Sequence, residues 1–297
     1  MPTLDPEDQR QFAIDVVVRL RAAGFEAYWA GGCVRDQLLG RQPKDYDVAT
    51  SATPAEVREL FGRQRTLAIG AAFGVMTVRG PRAAGQIEVA TFREDDQYSD
   101  GRRPDSVRFS TAQADAQRRD FTINGLFYDP QQQSVIDFVD GRRDLERRLL
   151  RAIGDPRERF NEDRLRMLRA VRIAAAYELA MSAETLEAIR EMAPGISVVS
   201  AERIGAEFQR MLVDANRAEA VRLLRVTGLL AVLLPEVDEL CHGPNGGPAW
   251  QATLRVLAAL SAPGVPLAQA ALLHRTSDAK LAGEIGRRWR LSNRQRE

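Results

Sequence analysis

Two aspartates separated by one residue, Asp45 and Asp47, stand in the short β-rich segment DYDVA at 45–49. Residues i and i+2 of a strand share a face, so the spacing predicts two carboxylates side by side with Cα atoms about 6.6 Å apart, near enough to share hard cations. Unpaired acids so placed repel, and a divalent ion relieves the repulsion. Paired oxygen ligands of this kind serve two-ion phosphoryl or nucleotidyl transfer, in which one ion activates the attacking hydroxyl and the other holds a triphosphate. An Asp-X-Asp alone is commonly a solvated turn; its context here is AGGCVRDQLLG at 30–40. A strand-like segment runs into Gly31-Gly32 and straight into a helix whose early turns carry Arg35 and Asp36. Paired glycines let a phosphate approach the backbone, the helix start offers free N–H groups, and Arg35 adds a charged fork. Strand, glycine turn, helix and carboxylate strand in that order are far more specific than any one piece.

Further along, Asp120 and Asn124 are four residues apart, which on a helix places them on one face where both can bond ribose hydroxyls and favour ribonucleotides. Glu88, in the strand-like QIEVATF, is the candidate third acid near the metals. In NEDRLR, the three-residue spacing of Asp163 and Arg166 on a helix brings one acceptor and one donor fork to a single ligand edge. Cytosine and adenine both present an amino donor beside a ring-nitrogen acceptor, and uracil and guanine reverse that order. One Asp/Arg pair can therefore accept CTP and ATP while leaving buried groups unpaired against UTP and GTP, although the spacing by itself reads equally as an i,i+3 surface ion pair. Glu162 is placed to brace Arg166.

These residues need elements to hold them. Residues 6–23 read as a helix from the recurrence of Phe12, Val16 or Val17 and Leu20 after a Pro and acid start. Strand-length segments follow at 26–30, 45–49, 74–78, 86–92 and 106–109, interleaved with helical candidates at 33–39 and 54–61. This predicts an α/β first half. From about residue 140 helical periodicity takes over, through Leu165, Leu168, Val171 and Ala175, then Ile204, Phe208 and Leu212, then Val221 and Leu224. The second half is expected to be all helix.

With 42 basic and 41 acidic residues, a formal net charge of +1, the chain has no global excess of charge, so a nucleic-acid surface must be a local patch. Residues 141–172 are rich in arginine, read either as a track for an RNA backbone or as a solvated helix face with i,i+4 ion pairs. Two cysteines, Cys33 and Cys241, exclude a disulfide scaffold and a thiolate zinc site, and two histidines exclude a His-rich metal centre. The start MPTLDPEDQR lacks the pattern of a signal peptide and no apolar run is long enough to span a bilayer, so the expected location is cytoplasmic, without a membrane partner.

The stretch WAGGCVRDQLLGRQPKDYDVATSATP resembles the head signature of class II tRNA nucleotidyltransferases and bacterial poly(A) polymerases, within the polymerase-β-like superfamily. RRDFTINGLFYD at 118–129, DGRRDL at 140–145, RFNEDRLRMLRAVRIAAAYEL at 159–179 and ISVVSAERIGAEFQRML at 196–212 agree with that family in order and spacing. The resemblance implies an α/β head with a mixed or antiparallel sheet over residues 1–139, a helical neck and body over 140–235, and a helical tail over 236–297. Carried over to this chain, it makes Asp45 and Asp47 ligands of Mg²⁺, sets Gly31, Gly32 and Arg35 against the triphosphate, and puts Arg119, Asp120 and Asn124 around the nucleotide. Glu162, Asp163, Arg166 and Arg169 are counted with the nucleotide-binding residues. The implied activity is addition of CMP and AMP to tRNA 3′ ends from CTP and ATP, by a monomer or weak dimer. An A-only tRNA enzyme, a poly(A) polymerase and a catalytically inactive RNA-binding module remain the alternatives. RQRTLAIGAAFGVMTV after residue 61 is similar to the tRNA branch, and FREDDQYSDGRRPDSVRF at 92–109 to the flexible loop of members that add the terminal A. The tail resembles a degraded histidine-aspartate phosphohydrolase-like segment, with Gln251 at an early ligand position and Arg275 after His274 where aspartate is expected. The chain stops at RLSNRQRE, either through truncation or because the protein is short.

Overall fold

Helix α1 (Pro6–Ala22) starts where Asp5 accepts hydrogen bonds from the N–H groups of Glu7 and Asp8, with Pro6 opening the first turn, and it buries Ala13, Val16, Val17 and Leu20 along one stripe. That stripe covers a seven-stranded sheet. The computed structural model describes residues 4–95, 107–242, 246–276 and 281–289. Its chain forms two compact units: the first runs to Arg147 and regains Arg151–Gly154, and the second takes Arg148–Leu150 and the residues from Asp155 onward.

The first unit contributes β1 (Ala27–Ala30), α2 (Gly32–Leu38), β2 (Asp47–Thr50), α3 (Pro54–Phe61), β3 (Thr66–Leu67), β4 (Val75–Arg79), β5 (Gln86–Thr91), β6 (Arg93–Asp95), β7 (Val107–Phe109), α4 (Ala112–Gln117), β8 (Phe127–Asp129), β9 (Ser134–Ile136) and α5 (Gly141–Glu146). The main sheet has the order β3-β4-β5-β2-β1-β8-β9. It is mixed, because β2 and β5 run parallel while the other neighbours are antiparallel. Alternation along the strands gives each face its own core. Trp29, Val48, Val78, Ile87 and Val89 pack with the α1 stripe and with Val57 and Phe61 of α3. Ala30, Ala49, Phe92 and Phe127 pack with Ala112 and Ala116 of α4. Helix α3 opens on a reciprocal capping box between Thr53 and Glu56.

The expected α/β organisation holds, with β3, β6, β8 and β9 added to the predicted strands. Of the loop expected at 92–109, residues 96–106 lie outside the described residues; its ends pair as the antiparallel β6–β7 ladder. Helix α5 groups with the first unit, eight residues beyond the head boundary read from sequence, because Asp144 reaches back to bond the Thr122 hydroxyl at 2.6 Å.

In the second unit the described elements are β10 (Leu149–Leu150), α6 (Pro156–Glu162), α7 (Leu165–Tyr177), β11 (Ala180–Met181), α8 (Ala183–Met192), α9 (Ala201–Val213), α10 (Arg217–Val226), α11 (Leu229–Leu233), α12 (Pro235–Asp238), α13 (Gly247–Ala259), α14 (Val265–Leu273) and α15 (Leu281–Arg288). The all-helix expectation needs one correction, a two-residue parallel pairing of β10 with β11. Its strands are too short for a periodic signal. Arg217, 2% exposed on α10, donates to the carbonyls of Leu212, Leu257 and Leu260, so its charge is spent on carbonyls at the ends of α9 and α13.

Candidate active site

At one edge of the sheet, β1 ends as β2 and β5 begin. The registers Ala30↔Asp47 and Asp47↔Glu88 put the Asp47 and Glu88 side chains on one face of adjacent parallel strands. Asp45 is not on that face by strand geometry, as its spacing predicted. It lies in a bend before β2, because β1 has already turned away at Gly31 and leaves residues before Asp47 no partner. The bend still returns Asp45 to the same groove, of about 720 Å³, that Asp47 and Glu88 line.

Asp47 keeps solvent access, yet the protein around it thins its hydration, and that loss, with the Asp45 and Glu88 carboxylates, pushes its carboxyl up to about 6 against a counter-effect of Arg119. No described residue gives the three carboxylates a hydrogen bond or ion pair. Among the described residues no three acidic, His or Cys side chains enclose an ion by themselves. The donors nonetheless fit Mg²⁺, which takes one or two carboxylates and completes its shell with water and substrate phosphates.

Between about pH 4 and pH 6 the folded chain retains a proton on Asp47 that the unfolded chain has released, so raising the pH through that window lowers the stability this group contributes. In metal-free buffer at pH 7.5, Asp47→Asn is expected to raise the Tm. Mg²⁺ should raise the Tm of the unaltered protein and leave the variant nearly unmoved. Differential scanning fluorimetry with and without EDTA measures both, and a destabilised Asp47→Asn would show that the acids do not repel.

Between β1 and α2, Gly31 takes φ +72°, which favours glycine, and a Cβ there would crowd Arg119 Nη1 at 3.0 Å. Behind the turn, Asp115, 1% exposed, accepts from Arg118 and Arg119 together. Burial alone would push its carboxyl up, and the two guanidinium groups outweigh it and hold the carboxyl below its ordinary value. Arg119 also donates to the Asn124 carbonyl at 3.3 Å and lies over the Phe127 ring. Arg35 is buried, and its fork is engaged by Asn124 Oδ1 at 2.7 Å and by Asp36 at 2.8 and 3.0 Å. Asp120 and Asn124 do meet, Nδ2 donating to Oδ1 at 3.0 Å, but not on the α-helix expected. Phe121 is held extended by its bridge to Ala152, so the chain leaves α4 and re-enters a 3₁₀ turn at Thr122–Asn124.

The second unit holds the other predicted group. Asp163 is not on a helix: it ends α6 with φ −150°, and its Oδ1 accepts the Leu165 N–H at the start of α7. Both of its oxygens also receive Arg203 of α9, at 3.1 and 2.7 Å. Arg166 is braced by Glu162 as expected, and Glu162 is shared with Arg159. Arg169 has protein partners.

Six arginines of the 141–172 run, Arg142, Arg151, Arg157, Arg159, Arg166 and Arg172, are paired with acids, so much of that run is internally neutralised rather than an open track. His274 bonds the Ala271 carbonyl through Nδ1. Sequence reasoning missed Asp115 and Arg203. Asp115 had a signal, since DAQRR places it i−3 and i−4 from two arginines, while the long-range Arg203 contact had none.

A family model described as the poly(A) polymerase head domain matches residues 27–151, and one described as the probable RNA- and SrmB-binding site of polymerase A matches residues 178–241. The CCA-adding enzyme of Geobacillus kaustophilus is 39% identical over 285 residues, covering 95% of this chain and 67% of that protein. Poly(A) polymerase I of Haemophilus influenzae is 38% identical over 247 residues, 79% of this chain and 54% of that protein. The CCA-adding enzyme of Bacillus stearothermophilus, solved in complex with CTP, superposes with a TM-score of 0.80 at 33% identity, over 96% of this chain and 67% of that one. The chain thus spans little more than half the length of several curated relatives it matches. Among the described residues no helix is long and apolar enough to cross a membrane.

Proposed function

The chain belongs to the family of CCA-adding enzymes and bacterial poly(A) polymerases, and from that premise we propose that it adds CMP and AMP to tRNA 3′ ends without a template. The observation that carries this reading is the unpartnered Asp47–Glu88 pair beside a glycine turn backed by Arg119. Mg²⁺ held by Asp45 and Asp47, with Glu88 alongside, supplies charge neutralisation at the transferred phosphorus when bound. Gly31 and Gly32 admit the triphosphate to the backbone, and Arg119, set by Asp115, faces its charge. Arg35 steadies the turn through Asn124. Asn124 Nδ2 has a second N–H beyond the one given to Asp120, by count, for a ribose hydroxyl.

Asp163 and Arg166 choose the base in this reading. Asp163→Ala or Arg166→Ala is expected to impair use of CTP and ATP and to relax rejection of UTP and GTP, each lost contact being worth about 1–3 kcal/mol. Steady-state kinetics with the four nucleotides test it; an unchanged ranking would leave the pair with only a structural role.

The deciding experiment incubates the protein with tRNA lacking CCA, tRNA ending in CC, and unrelated RNA, each with single nucleotides. Addition of C, C and A to the first supports the proposal. A alone on the second indicates an A-only enzyme, and long A tracts on unrelated RNA support the second reading, favoured by the Haemophilus relative, of a poly(A) polymerase.

A further inference from the structure

The groove that holds Asp45, Asp47 and Glu88 is also lined by Lys44, Arg79 and Arg82, and the two sets of charges do not neutralise each other. Among the described residues none of the three cations has a hydrogen-bond or ion-pair partner. Nor are Arg79 and Arg82 on a loose loop. Arg79 ends β4 and Arg82 lies in the turn of the β4–β5 hairpin, closed by Gly80 N–H to Gly85 O at 2.9 Å. It sits on α1: a Cβ on Gly80 would strike the Phe12 ring at 2.6 Å, one on Gly85 would reach Leu4 at 3.0 Å, and the Asp5 N–H bonds the Ala83 carbonyl. Exposed cations beside unneutralised acids fit a ligand that carries phosphates and travels with divalent ions.

Sheet order decides which phosphates these are. Asp47 on β2 has the glycine turn after β1 on one side and β5, then β4 with its hairpin, on the other. In transfer, the RNA 3′-oxygen bonds to the α-phosphorus, the bond from that phosphorus to the pyrophosphate breaks, pyrophosphate leaves with the electron pair, and the hydroxyl proton goes to solvent. Entering and leaving oxygens lie roughly in line. With the pyrophosphate at the glycine turn, the 3′-oxygen arrives from the side of the hairpin. We propose that Lys44, Arg79 and Arg82 form the track for the last phosphodiesters of the acceptor RNA. This rests on the nucleotidyltransferase reading for the direction of attack.

The test measures binding of a 5′-labelled tRNA ending in CC by fluorescence anisotropy across a salt series, together with KM values for RNA and CTP, in Arg79→Gln/Arg82→Gln and Lys44→Gln. Each single-stranded phosphate contact contributes about 0.7 to the slope of log affinity against log salt. The double variant is expected to flatten that slope by about 1.4 and raise the KM for RNA about tenfold, with the KM for CTP moving less than about twofold. Arg79→Lys/Arg82→Lys should restore most of the slope, and Arg65→Gln, outside the groove, should change little. A wild-type slope and RNA KM in the double variant overturn the proposal, as does an equal loss in Arg65→Gln. If the unaltered protein extends no RNA, the proposed function fails, while the slope still decides the track: flattened supports it, unchanged overturns it.

Discussion

Asp47→Ala is expected to lower nucleotide addition by about three orders of magnitude or more while the chain stays folded. Asp47 is the acid that both neighbouring strands address, in register with Ala30 on one side and Glu88 on the other. Its carboxyl is already driven up to about 6 by thinned hydration and two like charges, so the free energy of bringing these acids together is recovered only when a cation arrives. In the proposed mechanism, removing it discards a metal ligand and leaves Asp45 to hold the ion from a bend. The charge that develops on the α-phosphate then goes unneutralised at the moment of transfer. Because the Asp47 carboxylate makes no hydrogen bond or ion pair, and its backbone pairing survives the substitution, circular dichroism and Tm should stay near those of the unaltered chain or improve. Single-turnover assays with tRNA and CTP measure the loss, and Asp45→Ala should follow in the same direction. Addition at a rate within tenfold of the unaltered protein would remove the carboxylate pair from the chemistry.

The largest effect on stability is expected from Asp115→Ala. The side chain, 1% exposed, accepts four guanidinium hydrogen bonds at 2.6 to 3.2 Å, two from Arg118 and two from Arg119. Deleting one partner of a buried ion pair leaves the other charge uncompensated, which costs about 3–5 kcal/mol. The lower end, about 3 kcal/mol, applies because the arginine side chains remain 20% and 19% exposed and water partly replaces the carboxylate. Its carboxyl sits below its ordinary value when folded, so its contribution is complete above the unfolded pKa and is lost as the pH falls through the folded one. Urea unfolding at pH 7 and at successively more acidic pH measures this, with the difference between the two proteins narrowing as the pH falls below the ordinary carboxylate value. The same substitution frees Arg119 from its place against Gly31, so the KM for nucleotide should rise as well. A stability loss under about 1 kcal/mol at pH 7 would mean that the arginines hold their positions without Asp115.

What sequence revealed of the head was governed by local period and by glycine. The strip Ala13, Val16, Val17, Leu20 and the turn Gly31-Gly32 are written in neighbouring residues, and the helix and turn formed within a residue or two of the expected limits. The pairing that makes the site is not local. Glu88 is expected near the acids, but nothing in DYDVA or QIEVATF specifies the parallel ladder or the register through which Asp47 meets it. Errors of detail arose where tertiary contacts override a repeat: the end of β1 strips Asp45 of a strand partner, and the Phe121–Ala152 bridge breaks the helix assumed for Asp120 and Asn124. Asp163 fell to the same kind of override, since capping α7 and binding Arg203 both favour an extended residue between two helices over a continuous one.

The β2–β5 pairing also shapes how the chain acquires its chemistry. Antiparallel neighbours can zip from a tight turn, but parallel ones need an intervening crossover, here α3 and the β3–β4 segment, to be in place first. Closing a loop of that length costs chain entropy before the pairing offsets it, which slows formation of such contacts relative to a hairpin. The acids therefore cannot assemble in a partly ordered head, and a nascent chain that has produced Asp45 and Asp47 but not yet Glu88 holds only part of the groove. Such a chain is spared the repulsion that would oppose its early collapse, and the Asp47–Glu88 pair forms only once the sheet is complete.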